Sequence, residues 1–384
     1  VLEIPRILAC HARRQGLIKT IHFAIRTILE CYPIAAVPVI SSHVLQGLPA
    51  FIRGEIGERA LQRANSAAGF DAELIEDRNC YISQRSVLDF VGAVARSAGV
   101  HDFGLLLAPS MNVADYGTFG RYIFAAETLG QAIKRSIAAL RYHSTFDTLS
   151  LTTCGNELRY SYAFALAGSQ EYGPVASAAA GELISIFRAY LPENWRPIRI
   201  ELDIPKPTRT SHFEDVFQCP VIFDAPAVTI VTERHRMTAA SKRMSRSIFT
   251  IEDVARDRSG GAPQGLMEVA FAQIRAQLHT GDVSIEEVAR SMETSVRSLQ
   301  RELNRAGTDF RTLTSAVKIE RATELLHDTT VSITSISEDL GYASPAGFSR
   351  AFRKATGLGP REHRKRERSS LLGAALEEIE QDVA

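Results

Sequence analysis

The sequence predicts two domains of different class: an α+β domain, followed by an all-α domain built on two helix-turn-helix units. Three observations predict this. Between residues 51 and 245 the apolar spacing switches from a helical period to a period of two and back. The periodicity then dissolves into a basic, turn-rich stretch. Beyond it, every apolar pattern is helical as far as about Arg368. The 384 residues, 45% of them apolar and 23% charged, are enough for two or three globular domains with full cores. Lys and Arg number 44, as do Asp and Glu, so total charge points to no partner and only local charge is informative.

Residues 1–50 alternate apolar and basic side chains, then carry Pro33 and Pro38; they read as an N-terminal extension of undefined structure. Arg26, Glu30 and Pro33 interrupt the stretch from Ile21 to Ile40, which therefore suits neither a signal peptide nor a membrane span. From Phe51 to Ala68 the spacing is helical, with Gly69 as a stop. Val87 to Ser97 repeats the pattern and ends at Gly99. Gly120 to Tyr142 is a third long helix, with Ile123, Phe124, Leu129, Ile133, Ile137 and Leu140 on one face. The period then becomes two: Leu149, Leu151 and Thr153, a Gly155-Asn156 turn, then Leu158, Tyr160, Tyr162 and Phe164. That is a β-hairpin signal. Ala176 to Tyr190 returns to helix, and Ile198 to Ile204 is a strand bounded by Pro197 and Pro205. Val221–Phe223 and Val228–Val231 are shorter strands. Helices and strands without regular alternation define an α+β domain over 51–245. Periodicity is lost between Arg234 and Gly265, and 246–263 is the expected linker.

The second domain, 264–368, repeats one plan twice. In the first unit Ser284 caps a helix and Glu287 completes a capping box; Ile285, Val288 and Ala289 face inward. Ser295 caps the next helix, in which Val296, Leu299 and Leu303 are buried while Arg297, Gln300, Arg301 and Asn304 lie opposite. In the second unit Ile333, Ile336 and Leu340 face inward, Gly341 ends the helix, Ser344 caps the next and Pro345 opens it. Phe348 and Phe352 are inward; Pro345, Ala346, Ser349, Arg350 and Arg353 are outward. A second helix with a basic outer face suits base edges and phosphates in a DNA groove. One long helix, Arg311 to Asp328, spaces the two units through Val317, Ala322, Leu325 and Leu326. Residues 369–384 form a short, partly acidic tail.

The ordered matches Ser295-x-Arg297-x-Leu299-Gln300-Arg301-x-Leu303, Gly307-x-x-Phe310, Arg321-Ala322-x-x-Leu325-Leu326, Ile336-x-x-x-Leu340-Gly341-Tyr342, Phe348-Ser349-Arg350-Ala351-Phe352 and Gly357-x-x-Pro360-x-x-x-Arg364 span about a hundred residues. This block resembles the DNA-binding domain of the AraC/XylS family of bacterial transcription regulators. The resemblance implies contact with promoter or operator double-stranded DNA at Ser295, Arg297, Gln300 and Arg301 in the first unit, and at Ala346, Ser349 and Arg350 in the second. Lys354 is a further expected DNA contact, one that acts on all sequences alike if it meets phosphate. Arg301 and Arg350 have a competing structural reading, as partners of acidic neighbours that orient a helix. The run Arg361, Arg364, Lys365, Arg366 and Arg368 reads either as a solvated patch or as a phosphate contact.

Three departures from the family pattern stand out. Glu293 occupies a turn where Gly is usual, which costs on the order of 1 kcal/mol if φ is positive there. Ser337 replaces Ala. Pro345 and Ala346 offer no polar tip, so the second recognition helix relies on apolar contact and Arg350.

Asp102–Ala108, Gly117–Ile133 and the Arg141-Tyr142 pair resemble the sensor domain of one subgroup, which includes regulators of ornithine use and of virulence and has an arabinose-sensor-like N-terminal domain. The resemblance implies a small-molecule effector, a homodimer, contact with RNA polymerase, an activator and a cytoplasmic location. A protein whose first domain only dimerises is the alternative, and the sequence by itself leaves activation and repression open. Tyr160, Tyr162, Phe164 and Trp195 read as core or as pocket lining, and Gly117 and Gly120 as tight entry to a helix. No enzyme, cofactor or metal site is expected. The ten histidines show no HxxxH spacing, no phosphate-binding glycine loop is present, and the five cysteines are scattered. Cys154 with His143 is the one nucleophile pair considered, and it lacks support from the local pattern.

Overall fold

The computed structural model describes residues 37–99, 103–242, 249–258, 262–263, 265–278, 283–328 and 331–366. The expectations for residues 1–36 and for the tail 369–384, together with Cys10, Cys31, Asp102 and Arg368, lie outside the described residues. The described residues fall into two compact units, one made of 37–264 and 291–293, the other of 265–290 and 294–366.

In the first unit, part of the expected N-terminal extension belongs to the fold. Strand β1 (Val39–Ser41) pairs antiparallel with β2 (Tyr81–Ser83), and both are fully buried. Strands of three residues are too short for an alternating pattern to show. Helix α1 (Leu48–Glu55) and helix α2 (Glu58–Ala68) replace the single helix expected over 51–68. The break falls at Gly57, whose φ of 116° is outside what other residues tolerate. A short α3 (Ala72–Ile75) follows, and α4 (Gln84–Ala98) ends at Gly99 as expected. Helix α5 (Phe103–Leu107) leads to α6 (Gly117–Phe124) and α7 (Leu129–Ala139). The helix expected over 120–142 is thus interrupted, because the Thr128 side chain caps a fresh helix by accepting from Gln131 N at 3.3 Å. Gly120 admits a close approach: a Cβ there would lie 2.2 Å from the Val113 carbonyl oxygen.

Strand β3 (Thr148–Cys154) and β4 (Glu157–Ala163) form the expected hairpin, with Leu151 opposite Tyr160 and Cys154 opposite Glu157. Helix α8 (Tyr172–Arg188) starts one turn earlier than its pattern. Strands β5 (Arg199–Glu201), β6 (Val221–Ile222) and β7 (Val228–Glu233) complete a five-stranded sheet of order β3-β4-β7-β5-β6; helix α9 (Ser211–Phe217) lies between β5 and β6 in the chain. Among the described residues only the β5–β6 pair is parallel. One sheet face is apolar: Leu158, Tyr160, Ile200, Val228 and Ile230 are buried in one core with residues of α7 and α8 such as Ile133 and Phe187. The other face carries crossed ion pairs, Arg159 with Glu201 and Arg199 with Glu157.

The expected linker, 246–263, contains ordered structure. Thr250 and Asp253 form a reciprocal capping box on α10 (Ile251–Asp257), which buries Val254 in the first unit's core. Arg258, the next residue, is only 2% exposed. Its guanidinium donates to Ser41 Oγ at 2.6 Å and to His43 Nδ1 at 3.1 Å, and makes no ion pair with a carboxylate among the described residues. Seven residues, with only Val254 fully buried, are too few to register as a helix between turn-rich flanks.

The second unit contains α11 (Leu266–Leu278), α12 (Ile285–Ser291), α13 (Val296–Arg305), α14 (Phe310–Asp328), α15 (Ile333–Asp339) and α16 (Pro345–Thr356), with a last helical stretch over 360–366. Arg275 of α11 reaches Glu324 of α14 at 2.6 Å. Phe348 and Phe352 of α16 are fully buried against Ala322, Leu326, Ile336 and Leu340. Each such phenyl ring contributes about 1.5–3 kcal/mol by leaving water.

Candidate nucleic-acid interface and sensor cavity

Two helix-turn-helix units are present, α12–α13 and α15–α16. In the first, only half of the expected capping box forms. Ser284 Oγ accepts from Glu287 N at 3.3 Å, but Gln277 takes the Ser284 N–H at 3.1 Å, and Glu287 lies 3.6 Å from Arg290. The turn passes through Glu293 at φ 51°. This is the left-handed conformation that the sequence made conditional, held here by a non-glycine residue. Ser295 then caps α13, accepting from Ser298 N at 3.1 Å and donating to Ser298 Oγ at 2.9 Å.

Leu299 and Leu303 anchor α13, while Arg297, Gln300, Arg301 and Asn304 are exposed. The expected contact residues divide by their surroundings. Arg297 and Gln300 have no hydrogen bond or ion pair among the described residues. Arg301 and Arg305 both reach Glu302 Oε1, at 3.2 and 2.8 Å. Partial burial pushes the Glu302 carboxyl up, but hydrogen bonds from the two arginines outweigh this and hold it below its ordinary range. The competing structural reading therefore describes Arg301 in this structure. Ser295 is exposed, with its hydroxyl engaged in the cap.

In the second unit Ser332 caps α15 through Ser335 N at 3.0 Å, and Gly341 takes φ 65° at its end. Ser344 caps α16 through Gly347 N at 3.1 Å, with Pro345 in the first turn. Ala346, Arg350 and Lys354 are exposed and Ser349 is half-buried. Arg350 and Lys354 have no ion pair or hydrogen bond among the described residues. Arg353 is 3.3 Å from Glu362. The basic run after α16 is not uniform. Arg364 donates to the carbonyls of Leu326 at 3.3 Å and Val331 at 2.6 Å, which ties the end of α14 to the start of the second unit. Arg361, Lys365 and Arg366 are exposed. Ser337 is fully buried and its hydroxyl has no partner among the described residues.

The 37–264 unit encloses a cavity of about 90 Å³. Helices α4, α6, α7 and α8, strands β3 and β4 and the β1 segment all contribute walls. Tyr160, Tyr162 and Phe164 line it. Trp195 instead stacks on Phe187 at 5.3 Å and donates to Thr232 at 3.2 Å, so it is core. At one end Tyr116 donates to Glu182 Oε1 at 2.6 Å. Burial lifts the Glu182 carboxyl to about 7. His143 stacks between Tyr116 and Phe119, with centroid separations of 5.3 and 4.7 Å. Burial lowers it to about 3, helped by the Arg258 charge. Cys154 is exposed at the end of the hairpin, away from this buried imidazole, so the nucleophile pair does not form. No group of three or more metal-ligating side chains occurs among the described residues. The pocket-lining alternative holds for Tyr160, Tyr162 and Phe164 and the core reading for Trp195; the other walls were not legible in the sequence, because they have the same apolar periodicity as the core.

Two family profiles match the chain. The arabinose-binding domain of AraC transcription regulator, N-terminal, matches residues 59–239, and a helix-turn-helix domain matches residues 288–366. The ornithine utilization regulator of Pseudomonas aeruginosa is 24% identical over 313 residues, covering 78% of this chain and 89% of that protein. The HTH-type transcriptional regulator VqsM of the same species is 22% identical, covering 68% and 83%. Among solved structures, the transcriptional regulator CdpR from P. aeruginosa aligns with 80% of this chain and 97% of its own, at 20% identity and a TM-score of 0.37.

Proposed function

We propose that this chain, which belongs to the AraC family of transcription regulators, reads promoter DNA with α13 and α16 and adjusts that binding to a small molecule held in the cavity of the 37–264 unit. One observation carries the DNA half. Arg297 and Gln300 on α13, and Arg350 and Lys354 on α16, are exposed side chains without protein partners among the described residues. Uncommitted cations and an uncommitted amide on capped helices are what base edges and phosphates need. Arg301 and Ser295 act first in positioning, through Glu302 and the α13 cap. Ala346 and Ser349 supply close, mainly apolar approach.

On this reading the protein is a cytoplasmic homodimer, is not an enzyme, and works as an activator through contact with RNA polymerase. The cavity favours a sensing domain over one that only dimerises, because a unit needed for assembly alone has no use for an interior carboxylate. The test has two arms. Binding to randomised DNA at several salt concentrations should give a steep negative slope of log affinity against log salt. A metabolite panel screened by thermal shift should contain at least one stabilising compound that also changes DNA affinity. A flat salt response refutes the first half, and a silent panel the second. Sedimentation of the full chain at micromolar concentration should give a dimer.

A further inference from the structure

We infer, building on the reading of this cavity as the effector site, that its ligand is an aliphatic amine: an apolar chain ending in one protonated nitrogen that pairs with Glu182. The walls are overwhelmingly apolar, with Val44, Leu48, Val87, Val91, Met111 and Leu183 among them. Among the described residues no Arg or Lys lines the cavity. A carboxylate or phosphate ligand would therefore enter without a counter-charge, which burial penalises heavily. A sugar would set most of its hydroxyls against hydrocarbon, at about 1–3 kcal/mol for each one left unpaired.

The polar groups that remain are mostly committed. The Tyr162 hydroxyl donates to Asp147 Oδ2 at 2.8 Å, and the Tyr160 hydroxyl shares a 2.7 Å bond with Ser136. The Tyr116 hydroxyl is committed to Glu182 Oε1. What the cavity still offers is acceptance. The Glu182 carboxylate has no other hydrogen bond and no ion pair among the described residues; only its backbone carbonyl is bonded elsewhere, to the Ser185 hydroxyl. Nearby, the His143 ring stacked on Tyr116 keeps a buried Nδ1 without a partner among the described residues. An acid enclosed by hydrocarbon and lacking a cation is an incomplete ion pair. An alkylammonium group supplies the charge and up to three N–H donors, and its chain fills the apolar remainder.

The experiment uses the full chain at pH 7.5 with three probes of one shape: n-hexylamine, 1-hexanol and hexanoate. Thermal shift and titration calorimetry should show hexylamine binding at least tenfold more tightly than hexanol, with hexanoate weakest. Glu182→Gln should abolish the preference for the amine over the alcohol. Ala178→Phe, which fills the cavity from α8, should remove binding of both. Hexanoate binding as tightly as hexylamine overturns the inference, as does amine affinity unaltered in Glu182→Gln. The probe series on the unaltered chain decides the matter even if a variant folds poorly. If no amine binds but another metabolite does, and Ala178→Phe blocks it, the amine assignment fails while the sensing role stands. If nothing binds, both fail.

Discussion

Glu293→Gly should stabilise the helix-turn-helix domain. Glu293 holds φ at 51° in the turn between α12 and α13. A side chain with a Cβ is about 1–2 kcal/mol worse there than in the right-handed region. Glycine removes that cost but leaves the unfolded chain with more freedom, which returns roughly 0.5–1 kcal/mol. The net expectation is a gain of about 0.5–1 kcal/mol, a few degrees in the midpoint of a domain of about 100 residues. Glu293→Ala is the control, since alanine loses the carboxylate but keeps the Cβ and its strain. The assay is urea and thermal unfolding of the full chain by circular dichroism, for both variants beside the parent. Equal stabilisation by Gly and Ala would place the effect in the side chain and refute the backbone account. No gain from Gly would do the same.

Other expectations follow from single features. Ser337→Ala should add about 1 kcal/mol, because it removes a fully buried hydroxyl with no partner among the described residues; destabilisation in the same melts would contradict this. Arg297→Ala should relax base preference in one DNA element and Arg350→Ala in the other, each at about 1–3 kcal/mol, as read from libraries with either element randomised. Relaxation of the same base pairs by both would sink the two-unit reading. The 37–264 unit should lose stability as pH falls from 7 to 5. His43 and His143 stay neutral when folded, held by burial first and then by the Arg258 charge to about 4 and about 3, whereas the unfolded imidazoles protonate near 6.5. Their contribution is complete above 6.5 and is lost as pH drops towards those folded values. Glu182, raised by burial to about 7, acts in the opposite sense between 7 and 4.5. The net near pH 5.5 is about one proton, or about 1.4 kcal/mol per pH unit; a flat urea-midpoint profile would count against it.

Much of the second domain was legible because its signals are local. Caps at Ser295 and Ser344, the stop at Gly341 and the buried Leu299, Leu303, Phe348 and Phe352 are each set by neighbours within one turn. Which cation is free was not legible. Arg297 and Arg301 look alike in sequence, and only the placement of Glu302 separates them. The first domain showed its hairpin clearly, since period two over seven residues is unambiguous. It concealed β1 and β2, which are three residues long, and the other walls of the cavity, which differ from core only in what they fail to touch.

Arg258 has a bearing on how such regulators exchange parts. A cut at the apparent loss of periodicity, near 245, would strand Val254 and Arg258 on the wrong fragment, leaving Ser41 and His43 facing an emptied socket. The unit of recombination is therefore 37–264, and chimaeras joined after residue 264 inherit the plug with its socket. A plug from one lineage and a socket from another would bury a guanidinium without its acceptors. That mismatch is a barrier to shuffling at the very place where the sequence looks most permissive.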